Sequence, residues 1–518
     1  MTSTGIRGRA AAGATVARQL AERFDLPFVD LRTIGVQRAA AEAIDPRTLV
    51  RAHAVPYAFD GERLCVAIAD PNDVQAVDEL RLATRLEVVF GVAPREDIEL
   101  ELRNLERQLD ATRRAALEED EGFAFEEEAE QEEDDSSAPL VRLVNSLIFE
   151  AAEEGASDIH LLPQPDGLFV RLRVDGVLRE LERIPRHRAA GVITRIKVLA
   201  KLDIAEHRRP QDGRISLRTN RGRHVDIRVT VLPSVEGEGA ILRLLDKSRD
   251  APTLTEIGLS FPMQMALEQI LNRPTGSLLV TGPTGSGKST TLYAALADLA
   301  RPEINVITIE DPVEYRLPGI YQLQVNQKID FDFATALRSV LRSDPDVVMV
   351  GEIRDRETAE ISMRAALTGH FVLSTLHTND APSAITRLSE MGVEPFVVAS
   401  AVSAVLAQRL ARRLCDRCRE PYTPSPEELE KLGLDEPIAQ LWRADSCEHC
   451  SRGYRGRVGI FQMLPMTEDV RRLAARDASS AELEAAGIDA GMTPLWQDGV
   501  DKVRAGLTTV AELRRVLI

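Results

Sequence analysis

Residues 277–300, SLLVTGPTGSGKSTTLYAALADLA, decide how the chain is read. Leu278, Leu279 and Val280 form a short apolar run of strand type, and a helical stretch begins at Lys288. Between them, Gly282 to Ser289 follows the spacing of glycine, four residues, then Gly-Lys-Ser, in the strand-then-helix context that a phosphate loop requires. Glycines let backbone N–H groups close around phosphate oxygens. Lys288 neutralises β/γ charge, and the Ser289 hydroxyl ligates Mg2+. The expected nucleotide-binding set is Gly282, Pro283, Thr284, Gly285, Ser286, Gly287, Lys288, Ser289 and Thr290.

Further along, apolar strands alternate with helices: NVITIED (305–311), DVVMVGE (346–352) and HFVLSTLH (370–377). That order predicts an α/β fold with a largely parallel, covered sheet. In such sheets the carboxyl edge of the strands faces the ligand. Glu310 and Asp311 end one strand there and suit either water-mediated Mg2+ binding or positioning of the attacking water. Glu352 ends another. Gly351 stands where a second nucleotide motif usually has Asp, so Glu352 is expected to orient and polarise water alone. His370 and His377 bracket a stretch that spans about 23 Å when extended. The edge rule selects His377 as the γ-phosphate contact and leaves His370 a strand-start role.

Arg228 (in VDIRVT) and Arg243 (in AILRLLD) lie inside otherwise apolar strands. Each either pairs with an acid or clamps a triphosphate across a domain boundary. Cys415-x-x-Cys418 and Cys447-x-x-Cys450 are two zinc-knuckle halves, and four thiolates make a closed, structural Zn2+ site. His449 is expected to face solvent, and Cys65 to be a buried structural thiol.

The 518 residues suggest three to four domains. They are 44% hydrophobic and 4% aromatic, with a net charge of −18. Residues 118–135 hold 12 acids and no Lys or Arg, which leaves the rest near about −6. Without a basic balance or an aromatic platform, nucleic acid is not an expected partner. No apolar run reaches bilayer length; the longest, FVVASAVSAVLA (396–407), is too short. The N-terminal Ala/Arg-rich stretch is expected to be an ordinary amphipathic helix, not a targeting segment.

The expected layout is a first α/β domain at 1–117, with a hairpin around Asp60-Gly61, and an acidic flexible linker at 118–137. A second α+β domain follows at 138–250, opened by a helix with Leu140, Leu143, Val144, Leu147 and Ala151 on one face. Then come an ATPase domain at 251–410, a four-cysteine zinc-binding subdomain at 411–457 and a helical C-terminal part at 458–518.

Taken together these segments resemble the cytoplasmic ATPases of type II secretion systems, within the secretion-ATPase superfamily. GPTGSGKSTTLYAAL resembles the family's Walker A, ITIEDPVEY its Asp box, VVMVGEIRD its Walker B and ALTGHFVLSTLHTNDA its His box. LVNSLIFEAAEEGASDIHL and RRPQDGRISL resemble its second N-terminal domain, LPFVDL and LCVAIADPNDVQAVDEL its first, and MGVEPFVVASAVSAVLAQRLARRLC its metal region. The resemblance implies a RecA-like core and a homohexamer. ATP would sit between the nucleotide domain and the second N-terminal domain, where Arg228 and Arg243 match phosphate-contacting arginines. It further implies ATP, Mg2+ and structural Zn2+, docking of the first domain to inner-membrane secretion assembly proteins, and work on pseudopilus assembly. The protein would then be cytoplasmic, peripheral on the inner membrane, with an acidic phospholipid surface as a further partner. Gly239 and Gln462 depart from the family's usual Arg and Glu; neither is expected to touch the nucleotide boxes. The competing readings are a type IV pilus extension ATPase, a nucleic-acid translocase and a non-hydrolysing scaffold.

Overall fold

In the second half of the chain the strands Gly276–Thr281, Val306–Glu310, Val347–Val350 and Phe371–Leu376 are buried on both faces, as a parallel sheet flanked by helices demands. The computed structural model describes residues 15–41, 43–61, 63–84, 86–103, 124–125, 138–218, 224–246, 252–433, 438 and 440–517. The chain divides into two compact units, Met1–Ser248 with Ser446–Arg452, and Arg249–Asp445 with Gly453–Ile518.

In the first unit, β1 (Ala54–Asp60) and β2 (Arg63–Ile68) form the expected hairpin around Gly61. Helix α1 (Val74–Leu82) leads to β3 (Glu87–Val92), which pairs parallel with β2. Asp73 caps α1 by accepting from the Ala76 N–H, a contact worth about 1 kcal/mol. Cys65 lies in β2 and is half-buried rather than buried.

Helix α2 (Ala138–Glu153) buries Val144, Leu147, Ile148 and Ala151, the face its periodicity predicts. Six strands follow: β4 (Asp158–Gln164), β5 (Gly167–Val174), β6 (Val177–Pro185), β7 (Gln211–Arg218), β8 (His224–Ser234) and β9 (Gly237–Asp246), with α3 (Arg186–Leu199) between β6 and β7. They form an antiparallel sheet in the order β7-β8-β9-β4-β5-β6. Residues Ala124–Phe125 add a short edge strand on β7; the rest of the acidic linker lies outside the described residues. Alternation gives the sheet two faces. Ile227, Val229, Ala240 and Leu242 point into the core with α2 and α3. Arg214, Arg228, Arg243, Asp158 and Arg173 stand opposite one another in one row across five strands on the other face.

The second unit is built on a seven-stranded sheet. After α4 (Phe261–Leu271), β10 (Gly276–Thr281) runs into the phosphate turn and α5 (Lys288–Leu299). Then come β11 (Val306–Glu310), β12 (Tyr321–Gln324), α6 (Phe333–Val340), β13 (Val347–Val350), α7 (Arg356–Leu367), β14 (Phe371–Leu376) and α8 (Pro382–Glu390). Helix α9 (Pro395–Ala401) precedes β15 (Val402–Leu414), and β18 (Tyr454–Pro465) closes the sheet. The order is β12-β11-β13-β14-β10-β15-β18, parallel except for β18. Strands β16 (Glu420–Tyr422) and β17 (Leu441–Arg443) form a separate ribbon between β15 and β18. Four C-terminal helices end the chain: α10 (Glu468–Ala474), α11 (Ser480–Asp489), α12 (Leu495–Arg504) and α13 (Val510–Leu517).

Two expectations are corrected here. The boundary placed at 410/411 falls inside β15, and the segment 458–518 begins within a core strand. The cause is long-range pairing. The insertion leaves at the end of β15 and returns as β18 beside it, with Ala407 opposite Gln462. The apolar stretch 396–407 is nearly all of α9 followed by the start of β15.

Candidate functional site

The phosphate turn has the backbone its glycines allow. Gly285 and Gly287 have φ of 78° and 88°, which a side chain would strain. Gly287 is the N-cap of α5 and gives it no side-chain hydrogen bond, so the helix's first N–H groups are offered to an anion. Gly282 is needed for closeness: a Cβ there would stand 2.5 Å from the Gln408 carbonyl oxygen. The Ser286 hydroxyl oxygen is buried without a hydrogen-bond partner. A buried orphan in a ring of N–H groups fits a phosphate-binding turn. Ser289 and Thr290 are exposed at the start of α5.

The Lys288 ammonium donates to the carbonyls of Gly282 and Pro283, at 2.8 and 3.1 Å. Burial pushes its pKa below the usual value, and the nearby Glu352 carboxylate opposes that shift. Glu352 follows β13. One carboxylate oxygen pairs with Arg354, and the other lies 3.5 Å from His377 Nε2. Lys288, Glu352 and His377, selected from three separate motifs, thus converge at the carboxyl edge of β10, β13 and β14. Asp355 caps α7 by accepting from the Thr358 N–H (2.8 Å) and hydroxyl (3.0 Å), which fixes the turn carrying Glu352 and Arg354. His370 stays at the other end of β14, its Nδ1 3.2 Å from the Ala365 carbonyl oxygen.

Glu310 departs from expectation. It is not an acid open to metal or water: it is 4% exposed and receives hydrogen bonds from Tyr293, Thr308 (2.7 Å) and Gln322 (3.0 Å). Burial drives its pKa up while those three donors hold it down. The Tyr293 hydroxyl also accepts from the Glu314 N–H at 3.2 Å. Tyr315 meets the Tyr293 ring edge-on, with centroids 4.5 Å apart, and burial pushes its own hydroxyl up to about 12. Glu310 therefore pins the middle of α5, through Tyr293, to the chain after β11. Neither Tyr293 nor Gln322 was singled out by sequence; both are tertiary partners without a local signal. Asp311 lines a cavity of about 220 Å³ with Val325, Gln327, Asp332, Phe333 and Arg354, none of them from the phosphate turn.

Arg243 Nε donates to Asp158 at 2.9 Å, the acid-paired alternative, and the same side chain remains 57% exposed on the sheet face shared with Arg228. Gly239 lies in β9 opposite Leu232, where a Cβ would sit 3.0 Å from the Leu161 carbonyl. Gln462 corrects a second expectation. It is 2% exposed, and its Oε1 accepts from the N–H of Ala381, the last residue of the His box, at 3.0 Å.

The thiol sulfurs of Cys415, Cys418, Cys447 and Cys450 all lie within 4.8 Å of one another, and those of Cys447 and Cys450 are 3.6 Å apart. Tetrahedral coordination at about 2.3 Å puts sulfurs about 3.8 Å from each other, so the set fits Zn2+. His449 pairs instead with Glu448 at 3.1 Å. Among the described residues no helix is long and apolar enough to cross a membrane.

A phosphate turn, its lysine, and a strand-end glutamate beside a histidine define a P-loop ATP hydrolase on a RecA-like α/β sheet. Comparison with known proteins narrows the class. The family described as type II/IV secretion system protein matches residues 132–515, and the MshEN domain matches residues 24–112. Type II secretion system protein E of Aeromonas hydrophila is 49% identical over 401 residues, 76% of this chain and 79% of its own length. The protein of that name from Xanthomonas campestris pv. campestris is 42% identical over 510 residues, 96% and 90% of the two chains. The type IV pilus assembly ATPase PilB of Myxococcus xanthus is 40% identical over 514 residues, covering 95% and 89%. The crystal structure of the pilus retraction motor PilT with bound ADP aligns with a TM-score of 0.50 at 26% identity, over 71% of this chain and 95% of that one. The chain belongs to the type II/IV secretion-system family and is a type II secretion system ATPase of the secretion-ATPase superfamily.

Proposed function

We propose that the chain works as a homohexameric motor whose ATP hydrolysis drives pseudopilus assembly and protein export by a type II secretion system. The observation that carries this is the near full-length identity to type II secretion system protein E, N-terminal region included, joined to a converged Lys288–Glu352–His377 set. In this account the phosphate turn holds the triphosphate, and Lys288 leaves its loop carbonyls for phosphate oxygens. Ser289 and Asp311 would hold Mg2+, which neutralises charge on the β- and γ-phosphates when bound. Glu352 orients the attacking water and takes its proton, and His377 reports on the γ-phosphate. Glu310 keeps the Asp-box turn in place from beneath. Arg228 and Arg243 add positive charge toward the triphosphate, and closing and opening around nucleotide changes which contacts exist. The four cysteines would hold a structural Zn2+.

The partners in this account are an inner-membrane secretion assembly protein, met by the first N-terminal domain, and an acidic phospholipid surface. The protein would act at the cytoplasmic face of the inner membrane. The 40% identity to a type IV pilus assembly ATPase favours pilus extension as the second reading. Deleting the gene in its host separates the two. Exported enzymes retained in the cell with pili intact support secretion; lost pili with normal export support extension.

A further inference from the structure

Strand β15 does more than fill the sheet. It pairs with β10 up to Ala407 opposite Thr281, where β10 turns away into the phosphate loop and β15 runs on. The next two residues, Gln408 and Arg409, are a polar pair directly after the apolar run Ala404–Ala407. Gln408 is 3% exposed and its Oε1 accepts from the Thr291 hydroxyl of α5 at 2.7 Å. Its carbonyl lies under Gly282, and its side-chain nitrogen would be 2.8 Å from a Cβ on Gly287. Gln408 is the floor of the phosphate turn.

Arg409 faces the other motif. Its guanidinium donates to the Asn379 carbonyl at 2.8 Å and reaches the Asn379 side-chain oxygen at 3.4 Å, while the other terminal nitrogen donates to the Gln408 carbonyl at 3.1 Å. Asn379 is two residues beyond His377. Further bonds hold the same loop: the Thr281 hydroxyl accepts from the Thr378 N–H (2.9 Å) and lies within hydrogen-bond distance of the Thr378 hydroxyl (2.7 Å) and carbonyl (3.1 Å), and the Ala381 N–H donates to Gln462 (3.0 Å). Of these anchors, only Arg409 ties the loop to the residue beneath the phosphate turn. A planar fork suits this, because it can hold two oxygens in fixed directions where an ammonium cannot.

We propose that Arg409 is a positioning residue for ATP hydrolysis, clamping the loop that carries His377 to the floor of the phosphate turn so that the histidine keeps its register with Lys288. This rests on His377 acting at the γ-phosphate, and the two ideas fail separately. Loss of turnover in His377→Ala tests the histidine; coupling between the two residues tests the clamp.

The experiment is a double-mutant cycle in the full-length protein, with Arg409→Gln, Arg409→Lys and His377→Ala alone and combined, reading kcat, KM for ATP and melting temperature. Arg409→Gln should lower kcat about 10- to 100-fold with KM within about 3-fold, as expected when a reacting geometry is loosened without loss of ground-state binding. Arg409→Lys should restore part of kcat. In the His377→Ala background either Arg409 change should alter kcat by less than about 3-fold, the non-additivity of residues that act as a unit. An equal fall in both backgrounds overturns the proposal, as does an unchanged kcat. A rise in KM at constant kcat also overturns it, because it marks a direct ground-state phosphate contact. If Arg409→Gln does not fold, the charge-conserving Arg409→Lys completes the same cycle.

Discussion

Replacing Tyr293 by Phe tests the buried hub beneath the Asp box. The ring is retained and stays packed against Tyr315, so the change removes only the hydroxyl. Two bonds go with it: the donor to Glu310 and the acceptor for the Glu314 N–H. Glu310 is 4% exposed and keeps only Thr308 and Gln322 as side-chain donors, so water cannot replace the lost one freely. A hydrogen bond to a buried charged group contributes about 1.5–3 kcal/mol, and the Glu314 N–H adds to that, which gives a loss of about 2–3 kcal/mol. For a unit of this size each kcal/mol moves the midpoint by roughly 2–4 °C, so the transition should fall by roughly 4–12 °C. Scanning calorimetry of the full chain reads it. A midpoint within about 1 °C of the unmodified protein would refute the hub, since even one buried bond should exceed that shift.

Freshly purified protein should carry about one Zn2+ per chain by elemental analysis, and Cys415→Ser should lower both metal content and melting temperature; a zinc-free, equally stable sample would contradict the closed site. Glu512 supplies a pH prediction. It is 2% exposed; burial would raise its pKa, but hydrogen bonds from Arg412 and Arg515 hold it at about 2, down from an ordinary value of 4.5. Because the folded value is the lower one, its contribution is complete above the ordinary value and drains away as pH falls toward about 2. Glu512→Gln should therefore cost about 3 kcal/mol at neutral pH, and the gap from the unmodified protein should narrow in acid; a gap that stays constant from neutral pH to acid would contradict the assignment.

The phosphate turn was legible because its chemistry is local: eight consecutive residues carry the loop, the lysine and the hydroxyl. Glu352 and His377 were legible for a different reason. The carboxyl-edge rule turns strand order into proximity, and the observed 3.5 Å contact is its result. The cysteine pairs were readable from spacing alone. What escaped was set by pairing across long separations. Ala407 meets Gln462 only because an insertion intervenes, so nothing near Gln462 announces that it caps the His box. Glu310 looked like a solvent-facing strand-end acid, because the residues that cover it, Tyr293 and Gln322, come from a helix before β11 and a strand after it. The run at 396–407 is apolar apart from Ser400 and Ser403, and periodicity cannot separate a buried helix from a buried strand. It proved to be one followed by the other.

The most direct test of hydrolysis by a single strand-end glutamate is Glu352→Gln, which keeps shape and removes the base. Steady-state turnover should fall about 10²- to 10⁴-fold, while a fluorescent ATP analogue binds with unchanged affinity. Turnover at the unmodified rate with normal binding would contradict the account.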